Sequence, residues 1–516
     1  MKIIRKTWGE PLATEAINTI YLRDNSWDDY SFKTQFNVVV FDSEGVQHEL
    51  GDVKIGYRGQ VSPSLTRDHM EQVYQSGLPN EFFSLGQDVD YYKKISNLKY
   101  RDKEILLTLL RDIVADETLL ARNKEQSVFK TSLTRFVSLS LIEGQYQRVL
   151  KGGDLLKEYQ FRYETDASDD KAGFCLDFNV FPKSKPSNNI HVLIGRNGIG
   201  KTTLLNGMIS SLVDNKSYGR FIDISEGNLG ETLDPTYFTK LISVSFSAFD
   251  PFEPPQDREN NNNNINYSYI GLKANRSGGR KSTSTLKDLE ELSVEFSKSV
   301  KNIFGLVQAK NRWIKAISYL ESDVNFKEMG LKRLGDNIDP ARIEEIAKSL
   351  FLRMSSGHAI VMLTITRLVQ LIQEKTLIIM DEPESHLHPP LLSAFTRALS
   401  SLLMERNGVA IVATHSPVVL QEVPKSCVWK LSRTRVSGKQ ERPERETFAE
   451  NVGLLTREVF GLQVTKSGFH DLLKSSLDRE KSFSDILNDY NGQIGFEGRA
   501  ILMALISEAA TEKGEE

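Results

Sequence analysis

The sequence predicts an α/β protein: a mixed sheet around a phosphate-gripping loop, an antiparallel N-terminal meander, and helical insertions. Three observations carry this. The apolar run "HVLIG" leads through the glycine-rich "RNGIGKTT" into a helical pattern. The apolar run "TLIIM" ends in two adjacent acids, Asp381 and Glu382. Residues 16–56 alternate apolar and polar residues between turn signals.

At 516 residues the chain is several times the usual domain length, so it can bury a sizeable core and carry large insertions. Apolar residues make up 39% and charged residues 26%, with a net charge of -4. That balance excludes both wholesale disorder and a globally basic nucleic-acid coat, so any nucleic-acid contact is a local patch. "MKIIRKTWGE" has no apolar leader core, and no uninterrupted apolar stretch approaches the roughly 18 residues of a membrane helix. A soluble, unexported, cytoplasmic protein without a membrane partner is expected. Cys175 and Cys427 lie far apart without ligand spacing, so they signal neither a zinc site nor a disulfide framework.

The elements follow in order. Residues 1–187 hold the strands "INTIYL", "KTQFNVVVF" and "DVKIGY", separated by "DNSWDD" and "DSEG". A helical insertion spans about 67–160, including "KEILLTLLRDIVADETLLARN", and the strand-like "FCLDFNVF" follows, as if helices interrupt a single sheet. Residues 188–250 carry the pattern G-x-x-x-x-G-K-[ST] at Gly195, Gly200, Lys201 and Thr202, between an apolar strand and a helix. Its backbone N–H groups cradle phosphates, its lysine reaches the β and γ oxygens, and its threonine hydroxyl binds Mg²⁺, so a nucleoside triphosphate is expected.

Residues 251–350 begin with a segment rich in Pro, Asn, Gly and Ser (251–285), which reads as a mobile loop. Its Arg276, Arg280 and Lys281 either touch phosphates or sit in a solvated linker. The pattern turns helical from 286. Residues 351–430 hold "MSSGH", "TLIIMDEP" and "VAIVATHSP". An acidic pair after an apolar run is by itself most simply a solvated strand end. Beside a phosphate loop, however, Asp381 gains a role in holding Mg²⁺ through water and Glu382 one as the base for the attacking water, while His415 can reach a γ-phosphate. Residues 431–516 form a C-terminal extension with the charged "SRTRVSGKQERPERE" and then amphipathic helices, read either as core packing or as docking surfaces.

The set "GRNGIGKTT", "MSSGH", "TLIIMDEP" and "ATHSP", in that order, resembles the ABC-type ATPase heads: Walker A, signature, Walker B and H-loop. The resemblance covers residues 188–430 closely and the N-terminal strands loosely. It implies ATP and Mg²⁺ as cofactors, with Gly195, Asn197, Gly198, Gly200, Lys201, Thr202 and Thr203 around the phosphates. Thr202 and Asp381 would serve the metal, and Glu382 and His415 the reacting phosphate. The family signature reads Leu-Ser-Gly-Gly-Gln, whereas here it is Met354, Ser355, Ser356, Gly357 and His358. Ser355 and Gly357 would then meet ATP on a second copy, which implies a head-to-tail dimer or a higher even oligomer. The glutamine that transporters carry after the next strand is missing from "ISVSFSAFDPF", so Ser247 or Asp250 would take its place.

"SHLHPP" after Walker B resembles the branch that holds OLD nucleases, RecF-like proteins and phage-defence ATPases, and its His386 and His388 are expected to cap and pack that turn. A transporter subunit does not fit the missing glutamine, and an SMC rod does not fit the absence of sustained heptads. A Toprim nuclease would need a D-x-D set that is missing after His415. The chain thus resembles the ATPase subunits (PtuA-like) of Septu and retron antiphage systems. That likeness implies ATP hydrolysis to ADP and phosphate, a separate HNH-type nuclease as partner, and in retrons a reverse transcriptase with its RNA–DNA product. No nuclease site of its own is expected, since His48, His69, His191 and His470 are isolated in sequence. Two alternatives remain: a RecF-like repair ATPase stimulated by DNA, although Arg433, Arg435 and Lys439 form only a scattered patch, and an ATP-gated scaffold with little turnover.

Overall fold

The computed structural model describes residues 1–511 except 25–28, 30, 154–155, 168–172, 215–218, 229, 248–251, 259–264, 275–284, 336–341, 435–436, 461–467 and 478–481. Asp250, Arg276, Arg280, Lys281 and Arg435 lie outside the described residues.

Continuous apolar runs bounded by turns make strands that are buried on both faces. Ile190–Gly195, Thr376–Asp381 and Val409–Thr414 are of this kind. They form the middle of a seven-stranded sheet. Its order is Asn266–Gly271, Lys240–Ser245, Thr376–Asp381, Val409–Thr414, Ile190–Gly195, Val428–Thr434 and Ser437–Glu441. All neighbours are parallel except the last pair, a hairpin. The register sets Ser245 opposite Asp381, Asp381 opposite Ala413, and Gly195 opposite Leu431. The carboxyl ends of the central strands therefore share one edge, where open α/β sheets place their ligands.

Helices cover one face, among them Leu289–Phe304, opened by an Asp288/Glu291 capping box, and Pro389–Glu405, opened by two prolines. The helix Lys201–Val213 and an antiparallel sheet of Phe174–Val180, Tyr159–Thr165 and Gly219–Asp223 cover the other. In the first two of these strands buried residues alternate with half-buried ones, the pattern of a sheet with one face on a core.

The N-terminal strands do not join either sheet. Thr19–Asp24, Gln35–Phe41 and Gln47–Tyr57 form the antiparallel meander the alternation predicts. Lys2–Thr7 joins it in parallel, and Val73–Tyr74 and Phe82–Gly86 close the two edges of a six-stranded sheet with its own core. The expectation of helices interrupting a single sheet is thus corrected. The start of the segment read as a helical insertion supplies edge strands, and its helices, from Val89–Ser96 to Gln147–Leu150, cover this N-terminal core.

The expected loop at 251–285 is also corrected in part. "NYSYIG" forms the parallel edge strand Asn266–Gly271, with Tyr267 and Ile270 fully buried. The Tyr267 and Ser243 hydroxyls lie 2.6 Å apart, and the Tyr269 hydroxyl donates to the Ser245 carbonyl at 3.0 Å, so both rings are buried with their polar ends satisfied. The charged segment after 431 likewise begins as sheet, because Val428–Thr434 pairs with the Walker A strand and turns back as Ser437–Glu441. The short helices Phe469–Ser475 and Phe483–Asp489 and the longer Phe496–Thr511 then pack around Leu473, Ile486, Ile494 and Leu502.

Candidate functional site

The Walker A turn needs glycine at two points. Gly198 and Gly200 have φ of +77° and +99°, in the left-handed region, and a Cβ on either would meet open space. The backbone can thus be approached closely there. Gly195 is confined for another reason, since a Cβ would come within 2.5 Å of the Leu431 carbonyl. Lys201 and Thr202 then open the helix Lys201–Val213, whose first N–H groups point at the loop. Asn197 and Thr203 are exposed beside it.

Five residues predicted from sequence meet at this edge. Lys201 Nζ donates to the Gly195 carbonyl at 3.1 Å and lies 2.7 Å from His415 Nε2. Thr202 Oγ1 donates to Asp381 Oδ2 at 2.8 Å. His415 Nε2 stands 3.1 Å from Glu382 Oε1. Glu382 has a φ of +45°, a conformation that costs a side-chain-bearing residue about 1–3 kcal/mol. Its backbone N–H donates to the Ala413 carbonyl at 2.9 Å, fixing it to the strand that ends at His415.

Burial lowers the Lys201 pKa, opposed by the carboxylates of Glu382, Asp381 and Glu384. Burial, and then the Lys201 ammonium, lower the His415 pKa against the pull of Glu382 and Glu384. His415 Nε2 thus faces Lys201, which can only donate, and Glu382, which can only accept, so the two neighbours pull its proton in opposite directions. Thr202 and Asp381 present two hard oxygens side by side, the donor chemistry that Mg²⁺ takes. A phosphate in the loop would offer Lys201 a charged acceptor in place of a carbonyl and an imidazole.

Sequence reasoning missed Glu384. Its carboxylate accepts the backbone N–H of His415 and so fixes the H-loop to the turn after Walker B. The third acid of "DEPESH" was the available signal.

Ser355 and Gly357 are not joined to this cluster by any hydrogen bond or ion pair among the described residues. Ser355 stands exposed at the start of the helix Ser356–Leu371. Gly357 is pressed against the turn after Walker B, where a Cβ would come within 2.5 Å of the His386 carbonyl. His388 precedes the helix Pro389–Glu405 but makes no side-chain cap. Its Nε2 pairs instead with Asp323 Oδ2 at 3.0 Å, which corrects the expected capping role. Ser247 follows the strand Lys240–Ser245 at the same sheet edge.

The isolated histidines have structural partners. His48 pairs with Asp42 at 2.9 Å, His69 stacks on Tyr57 and His470 on Phe469. His191 is buried edge-on to Phe178, with its pKa pushed down to about 3 by burial. Among the described residues no group of three or more His, Cys, Asp or Glu could hold a metal, and no helix is long and apolar enough to cross a membrane.

The loop, the acidic strand end and His415 therefore gather at one edge of the parallel sheet, with a lysine, a helix start and two hard oxygens side by side. A family model described as "AAA domain, putative AbiEii toxin, Type IV TA system" matches residues 346–421, a span that includes Ser355, Asp381, Glu382 and His415. Protein ea59 of Escherichia phage lambda is 45% identical over 506 residues, covering 95% of each chain. Among solved structures, the ADP conformation of an ATP-binding cassette of an ABC transporter aligns with 60% of this chain and 98% of its own, at 13% identity and a TM-score of 0.32. The SMC head domain from Thermotoga maritima aligns with 56% of this chain and 100% of its own, at 11% identity and a TM-score of 0.26.

Proposed function

This chain belongs to the family of Protein ea59 of Escherichia phage lambda, and from that premise we propose that it hydrolyses ATP between two copies of itself and uses the cycle to control a separate nuclease in the cytoplasm. The observation that carries the reading is the convergence of Lys201, Thr202, Asp381, Glu382 and His415 on one sheet edge.

Lys201 holds the β and γ oxygens, and the helix start behind it supplies N–H groups. Thr202 and Asp381 would hold Mg²⁺, which when bound would neutralise the phosphate charge. Glu382 takes the proton of the attacking water, held by its strained backbone toward the site. His415 donates a ring N–H to the γ-phosphate. Ser355 and Gly357 complete the site from the second copy, because each stands at an exposed or half-exposed helix start and, among the described residues, neither is bonded to Lys201. The phage origin of the relative and the toxin named in the family description support a setting in conflict between phages and bacteria; the HNH-type nuclease as controlled partner rests on the motif resemblance alone.

Mixed chains test the reading. Lys201→Ala and Ser355→Arg chains, each inactive alone, should regain part of the ATPase activity when combined, since one interface of the mixed dimer keeps an intact Walker A and an intact signature. No recovery, with full wild-type activity in a strict monomer, overturns it.

A further inference from the structure

Serine at a helix start ordinarily accepts an N–H from the first turn. Ser355 makes no such bond. Its Oγ instead lies 2.5 Å from Nδ1 of His358, where the family pattern has glutamine. The His358 side chain is only 13% exposed, with its Nε2 3.5 Å from Asp323 Oδ1 and the Phe326 ring edge-on at 4.8 Å. At 3.5 Å the Asp323 contact is an ion-pair contact and not a well-formed hydrogen bond. Asp323 is fixed in turn, because its Oδ1 accepts the N–H groups of Asn325 and Phe326 at 2.9 and 3.1 Å. Its other oxygen takes His388, the residue that ends the turn after Walker B. A chain of contacts thus runs from the signature serine through His358 and Asp323 to that turn.

The direction of one proton decides what Ser355 can do. A neutral His358 that turns Nε2–H toward Asp323 has a lone pair on Nδ1, which takes the Ser355 proton. The serine then presents only lone pairs, and a phosphate oxygen is repelled. A protonated His358 donates from both nitrogens, to Asp323 and to Ser355 Oγ, and so releases the serine O–H for the phosphate. The imidazolium would then stand between a carboxylate and a phosphate, with charge-assisted bonds on both sides.

We propose that His358 is a positioning residue that sets the direction of the Ser355 proton, so that Ser355 engages the γ-phosphate on a second copy when His358 is protonated against Asp323. The inference rests on the dimer reading above. Among the described residues, the titratable group in ion-pair contact with His358 is Asp323, before the helix Val324–Glu328, and through it His388, at the start of Pro389–Glu405. His388 is about half-exposed and shares the same carboxylate, so it is tested in parallel.

The test is sedimentation velocity of the full chain carrying Glu382→Gln, with ATP and Mg²⁺, between about pH 6 and pH 8. ATP-driven association should weaken about tenfold across this range, the worth of a charge-assisted hydrogen bond. Adding His358→Gln should remove most of that pH dependence, because an amide donates to Ser355 at every pH. Titration of ATP itself is common to both chains and cancels in the comparison. His388→Asn should keep the slope. Association with the same slope in the His358→Gln chain, or a slope lost with His388→Asn alone, overturns this inference while the dimer reading stands. Absence of ATP-driven association at every pH overturns both.

Discussion

The seam between the N-terminal sheet and the helices of the parallel-sheet core, and the phosphate-loop edge of that core, both gather charge out of water, yet they are built in opposite ways. At the seam, Asp88 Oδ2 is held at 2.7 Å by Arg312 and at 2.6 Å by Arg406, and the side chains of all three are 14% exposed or less. Asp88 also caps the helix Val89–Ser96. Asp52 works alongside, accepting the N–H of Val307 at 2.7 Å across the same seam. Each charge there finds its partner within the folded chain. At the phosphate edge, three acids surround Lys201, but its nitrogen bonds to carbonyls and to the His415 imidazole. One cluster is closed on itself and holds two regions together. The other is arranged to gain from an incoming polyanion.

Glu382→Gln gives the largest expected effect and tests the open cluster. Steady-state ATP turnover should fall by about 10² to 10⁴, the range for loss of a general base, while the fold is unchanged. Turnover like the wild type would move the base elsewhere, with Glu384 the nearest substitute.

Asp88→Ala tests the closed cluster. It leaves two buried guanidiniums without their carboxylate, so urea unfolding should show a loss of about 3–5 kcal/mol. Burial raises the Asp88 pKa, but the two guanidiniums outweigh it and hold the carboxyl well below the usual range. A lowered folded pKa means this stability is present above the ordinary carboxylate value and is lost as pH falls below it. A loss under about 1 kcal/mol, the size of an exposed pair, would show that the seam does not depend on Asp88.

The smallest effect concerns Asp112 in the N-terminal core. Burial pushes its carboxyl up to about 7, against bonds from the Val114 and Ala115 N–H groups and the Tyr92 hydroxyl. The folded chain keeps this proton where the unfolded chain has lost it, so stability falls as pH rises from about 4 to 7. Asp112→Asn, which mimics the protonated carboxyl, should keep the bonds that Oδ1 accepts from the Val114 and Ala115 N–H groups, turn an amide N–H toward the Tyr92 hydroxyl oxygen, and stabilise the protein by about 1–3 kcal/mol at pH 8, with the gain shrinking toward pH 4. An equal pH slope in both proteins would contradict the assignment.

The phosphate edge was legible because its chemistry is local in sequence. Gly198, Gly200, Lys201 and Thr202 lie within one turn, and Asp381, Glu382 and His415 each end an apolar strand, so periodicity alone places them at one edge. The N-terminal strands were legible as strands, but alternation does not say which sheet a strand joins. That is decided by partners distant in sequence, such as Gln35 with Gly305 or Asp52 with Val307. "NYSYIG" was missed because the Asn and Gly around it dominate the composition, while burial of Tyr267 and Tyr269 depends on hydroxyl partners in a strand read separately. The contacts of His358 and His388 with Asp323 had no signal in spacing, since they join three separate elements.

The central claim is that the open cluster is an ATP site whose binding and hydrolysis rest on different residues. Calorimetric titration of ATP with Mg²⁺ into the wild type, Glu382→Gln and Lys201→Ala tests it most directly. The account predicts that Glu382→Gln binds ATP with an affinity close to that of the wild type, and that Lys201→Ala loses at least about tenfold, the worth of one charge-assisted contact. Wild-type affinity in Lys201→Ala, or no ATP binding by the wild type, would contradict it.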